Sequence, residues 1–144
     1  RVGAFEPSFQ RVFGAFEPSF QRVFGRIHAS KLDSITRPSE VVLFTSARTE
    51  PQPGVPIIGN TEGFFRIEPP IFTAARGRQW ETAYDERSSA PGLNSGFVSL
   101  RWGGKAVSAF PDGHAAVLGW EELGDMRRWA DAASSANWGL VPRS

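Results

Sequence analysis

The residues best suited to chemistry stand in one row, Asp112-Gly113-His114, between two apolar runs. A carboxylate and an imidazole two positions apart could act as an acid–base pair or supply two metal ligands. A zinc centre needs three or four protein ligands, and the one other histidine is His28, far away in the chain. There is no cysteine, which excludes thiolate ligands, a thiol nucleophile and a disulfide framework. No HExxH, no GxSxG and no phosphate-cradling glycine loop occurs. The plainer reading is a turn: Pro111 suits its first position, Asp112 its second, and Gly113 the left-handed third.

Two other groups of residues could carry function. The 12 Phe, 5 Trp and 1 Tyr could form a stacking platform, with Arg66, Arg76 and Arg78 interleaved around Trp80. Aromatics at alternating strand positions serve more often as core. Glu121 and Glu122 could be paired catalytic carboxylates, but the first turn of a helix already favours anions there.

The turn implies the elements that hold it. Lys105–Phe110 and His114–Leu118 form a hairpin with Phe110 opposite His114 and Val107 opposite Val117. Gly103-Gly104 is a second tight turn, and Gly96–Trp102 alternates like a half-buried strand. Val41–Thr45 is a β-branched apolar run of strand length, and Gly63–Glu68 is a shorter candidate. Leu123, Met126, Ala130 and Ala133 recur at helical steps, predicting a helix over 120–133 with Trp129 anchoring it to the sheet. Residues 47–62 are loop, and 73–95 are a polar surface excursion. The fold class is α+β, a small antiparallel sheet with a C-terminal helix packed on it.

The bulk properties agree with one modest domain. The 144 residues carry 16 basic and 15 acidic side chains, a net charge of +1, which gives no electrostatic reason to expect nucleic acid. No apolar run is long enough to span a membrane, and residues 1–25 show no signal-peptide core. GAFEPSFQRVF stands at 3–13 and again at 14–24. Pro7 and Pro18 disfavour a continuous helix through the two copies, and only the second copy is expected to pack. The chain therefore divides into a duplicated segment at 1–24, a globular domain at 25–133 and a flexible tail at 134–144. Leu140-Val141-Pro142-Arg143-Ser144 resembles a thrombin cleavage sequence, so the tail is either native or carried over from a cloning vector. Arg at position 1 reads as the start of a fragment or processed product.

Residues Arg101–Asp131 resemble the C-terminal region of bacterial pilin-like proteins, the prepilin-type and type II secretion pseudopilin-like family abundant in planctomycetes. The hallmark is a His, nine residues, then Asp-Gly. Here Trp102 stands at the His position, followed by Gly103-Gly104, Phe110 and Asp112-Gly113-His114, with Glu121–Trp129 as the helix beyond. Arg37–Arg48 and Gly63–Glu68 extend the resemblance, which covers roughly 25–133. It implies a pilin-like headpiece with no catalytic, cofactor or metal residues and no cofactor. Trp102, Gly103, Gly104, Phe110, Asp112, Gly113, His114 and Trp129 would then be a structural motif. It further implies filament or secretion-system partners, self-association, and a place at the cell surface, in the periplasm or outside the cell. The family's N-terminal apolar helix is missing, so this piece would not insert in a membrane. Two other readings stand beside it: a glycan- or protein-binding module using 73–102, and a metal-dependent hydrolase using Asp112 and His114.

Overall fold

A computed structural model describes residues 22–24, 31–50, 63–64 and 66–143. The duplicated segment at 1–24 lies outside the described residues except for 22–24. The architecture is α+β: a three-stranded antiparallel sheet, ordered β1-β2-β3, with short helices around it. β1 is Phe44–Thr45, β2 Lys105–Ala109 and β3 Ala115–Gly119.

The hairpin of β2 and β3 has the register its turn predicts. Val107 faces Val117 and Ala109 faces Ala115, so Phe110 and His114 close the ladder. The Phe110 N–H donates to the His114 carbonyl at 3.0 Å, and the Gly113 N–H to the Phe110 carbonyl at 3.0 Å. Gly113 has φ +90°, the left-handed conformation that completes a three-residue loop. At the other end of β2, Gly103 and Gly104 have φ of +62° and +76°. Trp102 and Lys105 exchange backbone bonds of 3.1 and 3.3 Å around them. Two successive positive φ values match the right-handed twist of the paired chain on either side.

The core forms beneath the sheet. Val98, Leu100, Ala106, Phe110, Leu118 and Leu123 are buried there with Trp80. A second cluster joins Ile71, Met126 and Ala133, with Trp129 packed against both.

Several elements differ from the sequence expectation. The helix expected over 120–133 is two short pieces, α2 at Trp120–Leu123 and a 3-10 turn at Met126–Arg128. α2 starts with the Gly119 N–H donating 2.9 Å to a Glu122 carboxylate oxygen. It stops at Gly124, and the Asp125 carboxylate then accepts from the Arg127 N–H to begin the new turn. The Met126 N–H leaves the helical path for the Ala136 carbonyl. Leu123, Met126 and Ala133 are indeed buried, but in two different clusters. Their spacing reported burial rather than one continuous helix.

Gly96–Trp102 is not a strand. α1, Pro91–Ser95, ends on Gly96 at φ +57°, and Phe97 follows at φ +67°. Two left-handed residues break extended pairing, and among the described residues the span keeps isolated bridges, from Val98 to Ala47 and from Arg101 to Lys105. Of the Val41–Thr45 run, only Phe44 and Thr45 enter the ladder, since the Val42 N–H donates to the Arg128 carbonyl. The described part of Gly63–Glu68 forms no strand either. The 73–95 segment is not purely a surface excursion: Trp80, Pro91, Asn94 and Ser95 are buried. Asn94 holds the segment in place, donating from its amide to Glu81 and the Ala83 carbonyl and accepting from the Asp85 N–H. The expected tail at 134–144 packs as far as Leu140, which is 6 % exposed and pairs with Thr73 in a parallel bridge. Its apolar side chain and that of Trp138 have a cluster to join, and burial there holds the segment down.

Candidate functional site

The hairpin turn holds the expected pair together. His114 Nδ1 lies 2.5 Å from Asp112 Oδ1, and the same oxygen accepts from the His114 N–H at 3.1 Å. These bonds from His114 hold the Asp112 carboxyl below its ordinary value. The imidazole lies flat on the Phe110 ring, with centroids 4.2 Å apart and planes 2° from parallel. The Asp112 N–H donates to the Pro38 carbonyl at 3.3 Å, tying the loop to the Arg37–Glu40 turn.

The dyad thus resembles the base-and-orienter half of a hydrolytic triad. Among the described residues the His114 ring bonds to Asp112 and to no hydroxyl. No group of three or more His, Cys, Asp or Glu side chains among the described residues could hold a metal ion. Asp112 satisfies the backbone of its own turn, in the manner of an Asx turn.

The platform around Trp80 is not assembled. Trp80 is 4 % exposed and stacks on Trp120 in the core, while Arg76 and Arg78 are exposed. Arg66 pairs with Glu68 and lies over the Phe97 ring. Trp102, by contrast, is 57 % exposed at its turn, with the Arg101 guanidinium over its ring at 5.8 Å. The outward position follows from the Gly103-Gly104 turn, which carries Trp102 past the end of the buried Val98–Leu100 stretch. Glu121 and Glu122 are exposed, and Glu122 is engaged with the Gly119 N–H.

Trp129 and Phe110 have structural positions. The Trp129 indole N–H donates 2.7 Å to the Leu123 carbonyl, which leaves α2 with a satisfied C-terminal acceptor. Its ring meets Trp80 edge-on, at 5.6 Å and 87°.

One concavity escaped the sequence reading. An apolar groove of about 270 Å³ lies between Ile35, Val41, Ile71, Met126, Trp129, Trp138 and Leu140. Its walls come from distant parts of the chain, and no local motif signals it. Asp131 borders it but is occupied, accepting from the Thr36 N–H and hydroxyl and the Arg37 N–H, each at 2.9 Å. Among the described residues no helix is long and apolar enough to cross a membrane.

No family model matches the sequence, and neither a curated protein nor a solved structure matches the chain.

Proposed function

We propose that this chain is a non-enzymatic structural subunit, the headpiece of a pilin-like or pseudopilin-like protein of a cell-surface or secretion filament. The observation that carries the reading is the structural employment of the motif residues. Gly103, Gly104 and Gly113 make turns through positive φ, Phe110 is buried, Asp112 bonds its own turn, and Trp129 spans both core clusters. A motif whose members build a hairpin and its support needs no substrate to explain it. The partners are other filament or secretion-system subunits, and the location is the cell surface, the periplasm or the extracellular space.

The test is cellular. Surface filaments sheared from cells carrying the parent gene would be probed with an antibody raised against this domain. Recovery with the filaments is expected, together with an upstream coding segment for a basic leader and an apolar helix of about 20 residues. A gene without such a segment, or a product confined to the cytoplasm, sinks the proposal.

A second reading has one observation in its favour. The exposed Trp102 indole, with Arg101 beside it, is a surface on which a sugar ring could stack. Binding on a glycan array that Trp102→Ala removes would support a glycan-binding module instead.

A further inference from the structure

β3 is an edge strand of the sheet that the described residues form. The direction of its backbone groups follows from the bonds on the other side of the sheet. The Leu43 N–H donates to the Ala109 carbonyl and the Ser46 N–H to the Val107 carbonyl, so the odd-numbered residues of β2 face β1. The even-numbered ones face β3, as the Phe110 bond to His114 confirms. In the register of Val107 with Val117, Ala115 and Val117 therefore aim their N–H and C=O groups away from the sheet. No backbone bond from either group to another described residue lies on that side. Natural edges are usually guarded by lysine, proline or a bulge. Ala115–Gly119 reads AAVLG and has none of these.

The outer face beside this edge is apolar as well. Phe44, Val107 and Val117 are 52, 42 and 50 % exposed. Ala109 and Ala115 lie in the same row as Phe44 across the three strands.

We infer that β3 pairs antiparallel with β3 of a second copy of this chain, about a two-fold axis at Val117. The strand is complementary to itself in that register. Val117 exchanges backbone bonds with Val117 of the other copy, and the Ala115 N–H reaches the Gly119 carbonyl, in both directions. The Gly119 N–H can stay with Glu122, where it already is. Small side chains meet small ones, so nothing in the strand holds the backbones apart. Charge is compatible too: the axis sets the Lys105 end of each hairpin beside the Asp112–His114 end of the other, with Glu121 near the opposite His114. The contact is isologous and closes on itself, and it joins the two apolar outer faces into one surface. It depends on the strand's geometry alone and stands whether or not the chain is a filament subunit.

Sedimentation of the full chain over a concentration series tests this, with two variants. Val117→Pro removes an N–H that the β2–β3 ladder does not use, a change edge strands tolerate. It should stay folded by circular dichroism and weaken self-association by about tenfold or more. Val107→Lys charges the outer face and leaves the edge intact, so it should still associate. A chain that remains monomeric at every concentration overturns the inference, as does a Val117→Pro protein that associates like the parent. Loss of association in Val107→Lys alone would mean face-on-face stacking and overturns it equally. If Val117→Pro does not fold, hydrogen exchange on the parent chain decides. Protection of the Ala115 and Val117 amides that rises with concentration supports edge pairing, and protection independent of concentration rejects it.

Discussion

Trp80 and Trp120 stack with their centroids 5.1 Å apart and their planes 25° from parallel, joining the loop region before α1 to the start of α2. The Trp80 indole N–H donates 3.1 Å to the Glu68 carbonyl, so the polar end of the ring is satisfied inside the core. Trp129 closes the group edge-on. Trp80→Ala should therefore cost about 3–5 kcal/mol, the range for emptying a large aromatic site. Chemical denaturation checks this. A loss under about 1 kcal/mol would mean that the 73–95 segment is not part of the core.

Gly96 and Gly113 both have positive φ, but their surroundings differ. A Cβ at Gly96 would lie 2.1 Å from the Glu68 carbonyl oxygen and 2.5 Å from Trp80 Nε1, whereas at Gly113 it meets open space. Gly113→Val should cost about 1–3 kcal/mol from backbone strain alone. Gly96→Ala should cost more despite its smaller side chain, because it also displaces backbone and the Trp80 indole. Thermal melts of both variants give the order, and the reverse order would contradict the packing around Gly96.

Asp131 fastens the Ile35–Arg37 stretch to the C-terminal part of the domain. Hydrogen bonds from the Thr36 N–H lower its carboxyl most, with help from the Thr36 hydroxyl and from Arg37, against a smaller opposing effect of burial. A carboxyl lowered in the folded state stabilises fully above its unfolded pKa, about 3.9, and the benefit is lost as pH falls through the folded value. Asp125, lowered by Arg127, adds in the same direction. Stability should be level from about pH 7 to 5 and decline below about 4. Asp131→Asn should lose about 1–3 kcal/mol at neutral pH and flatten the acid decline. Urea unfolding at several pH values would show an unchanged acid limb if the assignment were wrong.

The Asp112–His114 bond makes a separate prediction. Because hydrogen bonds from His114 lower the Asp112 carboxyl, His114→Ala should raise its titration midpoint toward the ordinary value. Carbon-13 NMR of the side-chain carboxyl follows it directly. A midpoint that does not move would show that the pair is not formed in solution. Since Asp112 and His114 hold each other and no third ligand is near among the described residues, dialysed protein should carry no stoichiometric zinc or iron. One metal per chain by elemental analysis would reopen the hydrolase reading.

The β2–β3 hairpin was legible because its determinants are local. Pro111-Asp112-Gly113 and Gly103-Gly104 specify loop lengths and positive φ values, and a loop length fixes the register of the strands it joins. The α+β class followed from that hairpin and from the apolar spacing after it. The helix over 120–133 and the strand over 96–102 were misread for one reason. An apolar period reports which side chains are buried, and burial can be shared between separate clusters without one regular element between them. Gly124-Asp125 and the left-handed Gly96-Phe97 pair end regular structure through bonds and backbone angles that the pattern does not carry. Only the tertiary structure decided which aromatics lie inside: Trp80 is enclosed because Trp120 and Trp129 come to meet it, while Trp102 is left in solvent beyond its turn. The same holds for the packing of Leu140 on Thr73, the apolar groove, and the place of β3 at the end of the strand order. Each depends on segments far apart in sequence, and no short stretch of residues encodes which distant partner comes to lie beside it.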